Sequence, residues 1–317
     1  MSQINLVIDG DNKPVNLPAP KEIVQQCRDA ARARSSAANS DSNNLRGVPL
    51  VDESRGAAYA WVKYGRSIAM SEALTQHFVG QAINGDADAA VRVPCVYLAF
   101  LSGSYGYIVM EYIDGSICDD SDVKLVAAAV KSLIAVRGPT TKPGPVGGGP
   151  IVHRFFVEWK SSMTYDSVRE LEQHVNGILA YTGRKDRVRF GPEVEDHGLR
   201  LCPCDMNRSN FIRDLWGRIV ALDFGSTCFL PVSFFAFALR EGDDFTQLIA
   251  RQLKHPASTQ LNSMLAASYA LVPYGTDKIG KHLSLLSFLF VASRSLARGL
   301  TSMYCTGIPR ELKHRAK

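Results

Sequence analysis

The sequence predicts a two-lobed α+β fold, with a small antiparallel-sheet lobe followed by a larger, mostly helical lobe. Between residues 48 and 112, β-rich runs and one helical pattern occur in the order strand, strand, helix, strand, strand. From Val123 onward, apolar residues recur mainly with a helical period. The chain has 317 residues, 46% of them hydrophobic, so it can bury a substantial core without disulfide or metal cross-links.

Composition and charge exclude several classes of protein. With 46% hydrophobic and 21% charged residues, the chain is not disordered, collagen-like or a coiled coil. Its net charge of +5 is spread along the sequence without a basic stripe, so nucleic acid is not an expected partner. Seven cysteines, an odd number, and a start that lacks a signal-peptide pattern indicate a reducing, cytoplasmic compartment. Residues 283–296 fall short of the roughly 20 apolar residues that span a bilayer, so they predict a buried helix and no membrane partner.

The first part of the chain divides into an N-terminal segment and the sheet lobe. Residues 1–47 are expected to hold a short amphipathic helix outside the main core, at 18–34, and a polar linker. Residues 48–113 then form the first lobe. Its predicted elements are a hairpin at 48–64, a helix capped by Ser71 that runs to about Ala82, and two strands at 93–101 and 105–112.

Residues 114–317 are predicted to form the second lobe. Helices are expected at 123–136, at 165–181 and through most of the chain after Pro231. Nine of the fourteen residues at 137–150 are Gly or Pro, which excludes regular structure there. The glycine run suggests a phosphate cradle, but no G-K-[ST] follows it, so an ordinary loop is favoured.

Residues 199–230 carry the most informative pattern of polar side chains. Two short strands, 210–213 and 218–222, are predicted to pair about a tip at Trp216 and Gly217, which would place Asn210 opposite Asp223. Asp205 lies five residues before Asn210 and is close enough to reach the same edge. Carboxylate and amide oxygens are the ligands that Mg²⁺ prefers, and Mg²⁺ usually shares its shell with phosphates. The segment therefore predicts a magnesium site with a triphosphate as partner.

The spacing D-x-x-x-x-N, followed by a hairpin and D-F-G, resembles the catalytic and metal loops of the protein-kinase-like superfamily. Lys63 in the strand A-W-V-K-Y-G, Glu72 in the next helix and V-M-E-Y-I-D-G at 109–115 occur in the matching order. The runs V-P-C-V-Y and G-G-G-P are most similar to fungal members of the aminoglycoside-phosphotransferase (choline-kinase-like) family. The resemblance covers about residues 49–230.

The resemblance implies a bilobal kinase-like fold and an ATP- and Mg²⁺-dependent phosphotransferase. The acceptor would be a hydroxyl or amine of a small molecule. In this family pattern Lys63 would hold the α and β phosphates and Glu72 would orient it. Asp205 would accept the proton of the acceptor hydroxyl, and Asn210 and Asp223 would hold magnesium.

The same resemblance places the adenine of ATP between the lobes. Backbone groups of Glu111, Tyr112 and Ile113 would hydrogen-bond its edge. Lys63 is expected to be a partly exposed charge facing this cleft.

The chain departs from the family pattern at two places that concern catalysis. The usual His-Gly before the catalytic Asp is replaced by Pro203 and Cys204, and no G-x-G-x-x-G precedes Lys63. Both departures favour an alternative, a pseudokinase-like module that binds nucleotide with little or no catalysis. The sequence predicts no oligomeric state.

Two other interpretations are disfavoured. Cys202, Cys204 and Cys228 could suggest zinc, but no second clear cysteine pair accompanies them, so buried thiols are favoured. A protein kinase is disfavoured because no A-P-E segment follows Asp223.

Overall fold

The computed structural model describes residues 3–36, 47–52, 54–86, 88–255 and 258–281. Sheets and eight α-helices make up this part of the chain, which confirms the predicted bilobal α+β fold. The helix predicted at 283–296 lies outside the described residues. Within them, every helix is too short or too polar to cross a membrane.

An antiparallel sheet forms the first lobe. Its strands are β1 (Ile4–Asp9), β2 (Gly47–Asp52), β3 (Ala57–Gly65), β5 (Val96–Ser102) and β6 (Tyr105–Glu111), while β4 (Val91–Arg92) belongs to another sheet. The strand order is β1-β5-β6-β3-β2. The predicted hairpin at 48–64 is confirmed as β2 and β3, and the two strands before residue 113 are confirmed as β5 and β6.

The N-terminal helix packs against this sheet, in a smaller cluster that is separate from the large core, so it lies outside the main core as predicted but covers the sheet. Helix α1 (Pro20–Ser36) forms as predicted, but Ile23, Val24 and Cys27 are buried in one cluster with sheet residues such as Phe100. Strand β1, which the sequence analysis did not predict, pairs with β5. One face of the sheet is apolar and is stabilised when the helix covers it. The division of the chain at residues 47 and 113 stays a prediction.

Helix α2 (Met70–Ile83) packs on the other face of the sheet. Ala73 is fully buried there, in a cluster with Ile108 and Met110 of β6. The predicted cap at Ser71 is wrong, because the helix begins at Met70 and its N-cap, Ala69, has no side-chain oxygen to accept a bond.

The second lobe is mostly helical. Its helices are α3 (Val123–Ala135), α4 (Val168–Tyr181), α5 (Gly191–His197), α6 (Val232–Arg240), α7 (Asp244–Leu253) and α8 (Leu261–Leu271). The predicted helices 123–136 and 165–181 are confirmed as α3 and α4. The chain between them contains no helix or strand, as the Gly- and Pro-rich sequence predicts. Phe155, Phe234 and Phe237 are fully buried and pack edge to face in the core of this lobe.

Short strands complete the second lobe and connect it with the first. These are β7 (Gly115–Ile117), β8 (Arg200–Pro203), β9 (Phe211–Asp214), β10 (Ile219–Ala221) and β11 (Thr227–Leu230). A four-stranded sheet has the order β4-β10-β9-β7, and β8 pairs with β11. The strand expected at 93–101 begins at Val96, since Pro94 lacks an N–H and separates β4 from β5. Strand β4 therefore ties the sheet lobe to the hairpin of the second lobe.

Candidate active site

Lys63, on β3, lies at the centre of a buried ion network. Its Nζ donates to Glu72 Oε1 at 2.5 Å and to Asp223 Oδ1 at 2.9 Å. Lys63 is only 8% exposed and Glu72 only 6%, so the expectation of a partly exposed lysine is wrong. Burial by itself lowers the pKa of Lys63, but the two carboxylates outweigh burial and the pKa is raised. The lysine therefore stays positively charged between one acid from each lobe.

The Gly- and Pro-rich loop packs against α2, the helix that carries Glu72. The Val146 N–H donates to Thr75 Oγ1 at 3.0 Å. At Gly147, φ is +82°, a conformation that favours glycine, and a Cβ there would lie 2.4 Å from Leu74 Cδ1, so the Leu74 side chain would have to move. These contacts agree with the interpretation as an ordinary loop, and they hold the helix near Glu72 in place.

Asp223 has an unusual backbone that brings its carboxylate to Lys63. Its φ and ψ are 54° and 76°, a left-handed conformation that few non-glycine residues adopt. Oδ1 also accepts from the Gly225 N–H at 3.2 Å. A Cβ at Gly225 would lie 3.1 Å from both Asp223 Oδ1 and Glu72 Oε2, a tight contact that glycine avoids. Left-handed backbone of this kind is concentrated at functional sites.

The hairpin β9–β10 is shifted by one residue from its predicted register. Ala221 lies opposite Phe211, and the Leu222 N–H donates to Asn210 O at 2.8 Å. Asn210 is therefore opposite Leu222, and the prediction that it faces Asp223 is wrong. The turn has three residues instead of two, with Gly217 at a φ of 80°.

The loop before this hairpin holds Asp205 and Asn210 together. The Asn210 Nδ2 donates to the Asp205 carbonyl at 2.8 Å, and Asn210 is 7% exposed. The Asp205 carboxylate accepts from Asn207 Nδ2 at 2.9 Å. The backbone and the side chain of Asp205 are thus both fixed within one short loop, as the D-x-x-x-x-N spacing predicts.

The donor set near Asp223 suits a hard divalent cation. Because Nδ2 of Asn210 is used by Asp205, the amide oxygen is the atom that would meet a metal. Within the described part of the chain, no group of three or more His, Cys, Asp or Glu side chains could hold a metal alone. A cation bound by Asn210 and Asp223 would need further oxygens from phosphate and water, which is the usual coordination of Mg²⁺.

The segment between the lobes is partly occupied by internal hydrogen bonds. The Glu111 N–H donates to Cys95 O at 2.9 Å, and the Tyr112 N–H donates to Tyr59 O at 3.3 Å. The Glu111 carboxylate accepts from Arg92 at 2.8 Å. Of the three residues expected to contact adenine, two therefore use their N–H groups to hold the sheet.

The three cysteines of the zinc interpretation lie close together but remain thiols. Cys202 and Cys228 are paired across β8 and β11, and Cys204 and Cys228 both donate to the Val152 carbonyl. Burial raises the pKa of Cys204 and of Cys228 to about 12. Among the described residues, these cysteines do not form a group that could hold a metal ion, so the interpretation as buried thiols is favoured.

Sequence analysis missed one residue that contacts the Asp205 loop. Arg154 Nε donates to the Cys204 carbonyl at 2.9 Å from a loop about fifty residues earlier. The residues before Arg154 are rich in Gly and Pro and show no periodic pattern. No motif spacing connects Arg154 with Asp205.

No family model matches this chain, and no curated protein matches it in sequence. Several solved structures resemble it. A candidate fructosamine-3-kinase from Haemophilus somnus 129PT shares 15% identity over 70% of this chain and 78% of its own, with a TM-score of 0.42. Macrolide 2′-phosphotransferase MphH from Brachybacterium faecium shares 12% identity over 90% of this chain and 99% of its own, with a TM-score of 0.40.

A third structure is a thermostable mutant of aminoglycoside phosphotransferase APH(4)-Ia in a ternary complex with AMP-PNP and hygromycin B. It shares 15% identity over 81% of this chain and 92% of its own, with a TM-score of 0.41.

Proposed function

We propose that this chain is an ATP- and Mg²⁺-dependent phosphotransferase that acts on a hydroxyl or amine of a small molecule. The observation that supports the proposal most strongly is the position of Lys63 between Glu72 and Asp223. A lysine held by one acid from each lobe is a fixed cation at the junction of the lobes, and a fixed cation is what the phosphates of ATP require.

The metal would be held by Asp223 and by the amide oxygen of Asn210. When bound, Mg²⁺ would neutralise negative charge on the phosphates. The ion pair with Lys63 and the left-handed backbone keep the Asp223 carboxylate in one orientation. Lys63 would bind the α and β phosphates, and Glu72 would keep it oriented.

Asp205 would accept the proton of the acceptor. One of its carboxylate oxygens accepts from Asn207 Nδ2, and the second would take the proton from a hydroxyl or amine. A half-buried carboxylate with a fixed orientation suits a general base, because the cost of orienting it is met by the fold.

Adenine would bind between the lobes beside Glu111, Tyr112 and Ile113. Since the N–H groups of Glu111 and Tyr112 donate within the protein, the Ile113 N–H and the backbone carbonyls are the groups proposed for the adenine edge. The sequence alone assigned backbone groups of all three residues to the adenine edge, whereas the N–H proposed here is that of Ile113.

We propose a small-molecule acceptor because the sequence resembles the aminoglycoside-phosphotransferase family. The missing A-P-E segment after Asp223 argues against a protein substrate. We also propose that the chain is related to fungal choline-kinase-like proteins and that it is located in the cytoplasm.

One observation favours the alternative of a pseudokinase. Among the described strands, β2 is the edge of the sheet next to β3, so no further strand of that part of the chain flanks it to complete a phosphate-covering hairpin. A module of this kind would bind ATP and release no phosphate.

Two measurements test the proposal. Calorimetric titration with ATP, with and without Mg²⁺, should show binding that the metal strengthens. ADP release should then be followed with a panel of amino alcohols, sugars and hydroxylated metabolites. Binding with ADP release above the acceptor-free rate supports the phosphotransferase, and binding without release supports the pseudokinase. Absence of ATP binding would contradict both.

A further inference from the structure

The backbone of Cys204, the residue immediately before Asp205, is hydrogen-bonded through both its N–H and its carbonyl. The Cys204 N–H donates to Ser226 O at 3.2 Å, and the Cys204 carbonyl accepts from Arg154 Nε at 2.9 Å. This carbonyl belongs to the peptide plane that joins Cys204 to Asp205. The orientation of that plane sets the direction in which the Asp205 side chain leaves the backbone.

Arg154 joins the Asp205 loop to two other segments. Its Nη1 donates to the Glu241 carbonyl, at the C-cap of α6. The guanidinium carbon lies 4.8 Å from the centre of the Trp159 ring, within cation–π range. A planar guanidinium can make two directed bonds and one stacking contact together, whereas a lysine ammonium cannot reproduce this set.

The loop that carries Arg154 is itself anchored in the core. His153 is fully buried; its Nδ1 accepts from the Phe155 N–H, so its Nε2 is the donor to Phe234 O at 3.1 Å. Trp159 has a φ of 57°, an outlier for a bulky residue. Its carbonyl accepts from the His153 N–H at 2.8 Å. The left-handed backbone at Trp159 places its indole ring against the Arg154 guanidinium.

We propose that Arg154 is a positioning residue for Asp205 and that it braces the loop at the place where the family pattern has histidine before the catalytic Asp. The inference rests on the proposed function, in which Asp205 takes the proton of the acceptor. Without the guanidinium, the Cys204 carbonyl loses its donor and the peptide plane can rotate. A displacement of about 1 Å at a reacting group costs about 10²-fold in rate.

The first test compares Arg154→Ala and Arg154→Lys with Arg251→Ala, a matched control at an exposed arginine of α7. ADP release is measured with Mg-ATP and water as acceptor, and with the most active acceptor of the panel. Both Arg154 variants should lose about 10²-fold in kcat, with Mg-ATP affinity within about threefold of the parent, and the control should match the parent. Parent-like turnover in both folded Arg154 variants would overturn the inference.

The second test asks whether Arg154 acts through Asp205. In the Asp205→Asn background, Arg154→Lys should cost less than about twofold, since the group that it positions is already lost. A full further loss of about 10²-fold would assign Arg154 a role independent of Asp205 and overturn the inference. Arg154→Lys keeps the charge and the aliphatic stem, so this comparison stands even where Arg154→Ala does not fold.

Failure of the proposed function has a different result. If the parent and Asp205→Asn release ADP at the same background rate, the phosphotransferase proposal fails, and the positioning role fails with it. If Asp205→Asn loses activity and the Arg154 variants do not, only the inference about Arg154 fails. Added guanidinium chloride at millimolar concentration should restore part of the Arg154→Ala rate and leave Asp205→Asn unchanged; equal effects on both variants would contradict the positioning role.

Discussion

Lys63 Nζ and Glu72 Oε1 lie 2.5 Å apart, in a part of the molecule where both residues are more than nine-tenths buried. Two charges removed from water are stabilised only while each has its partner. The pair is therefore sensitive to loss of either member, and it links stability of the first lobe to the geometry of the proposed phosphate site.

Lys63→Met should destabilise the fold by about 3 kcal/mol, because the buried carboxylate of Glu72 loses the ammonium that compensates its charge. Combining Lys63→Met with Glu72→Gln should cost less than the sum of the two single changes, since the buried charge that Lys63 compensates at Glu72 is removed as well. Urea unfolding of the four proteins measures this coupling, with exposed Lys131→Met as the control. Additive effects would show that the two side chains do not interact energetically.

Asp223→Ala should abolish the magnesium-dependent part of ATP binding. The remaining amide of Asn210 and water ligands carry no charge to replace the carboxylate. Calorimetry with ATP in the presence and absence of Mg²⁺ measures the effect, and Asp196→Ala, at an exposed acid of α5, is the matched control. If Asp223→Ala retains the full effect of magnesium, Asp223 is not a metal ligand.

His153 should make the fold less stable in acid. Burial, and then the charge of Arg154, lower the pKa of His153 from 6.5 to about 3. Between these two values the unfolded chain binds a proton that the folded chain does not, so its contribution to stability is complete above pH 6.5 and is lost as the pH falls. The expected slope is about 1.4 kcal/mol per pH unit below 6.5.

Urea unfolding at pH 7.5, 6.0 and 5.0 tests this prediction. The parent should lose stability across the series more steeply than His153→Gln, which can donate and accept through its amide without gaining a proton. The variant at the exposed His197, His197→Gln, is the control. Identical slopes for the parent and His153→Gln would assign the acid sensitivity to other groups, such as His174, whose pKa is also lowered by burial.

Local patterns predicted much of the fold and the order of the site residues. Helix α3 and the β2–β3 hairpin follow from apolar spacing over consecutive residues. The resemblance placed Glu72 beside Lys63, and the two side chains are in contact, whereas the contact of Lys63 with Asp223 was not predicted. These predictions depend on the short-range periodicity of apolar residues and on the order and spacing of the motif residues along the chain.

Features that depend on contacts between distant residues were missed. Strand β1 pairs with β5, which lies far along the chain, and no local period specifies such pairing. The register error at Asn210 arose because a two-residue and a three-residue turn both fit the sequence about Trp216. Arg154 was missed because it bonds to the backbone carbonyl of residue 204. Every residue type has this carbonyl, so the sequence at that position does not indicate the bond.

The rate of phosphoryl transfer by Asp205→Asn tests the central claim most directly. If Asp205 accepts the proton of the acceptor, the isosteric change should leave Mg-ATP affinity nearly intact and lower ADP release by about 10² to 10⁴. The measurement compares parent and variant on the same acceptor panel, with ATP binding confirmed by calorimetry for each. Equal, near-background ADP release from both proteins would contradict the enzyme and leave a nucleotide-binding module.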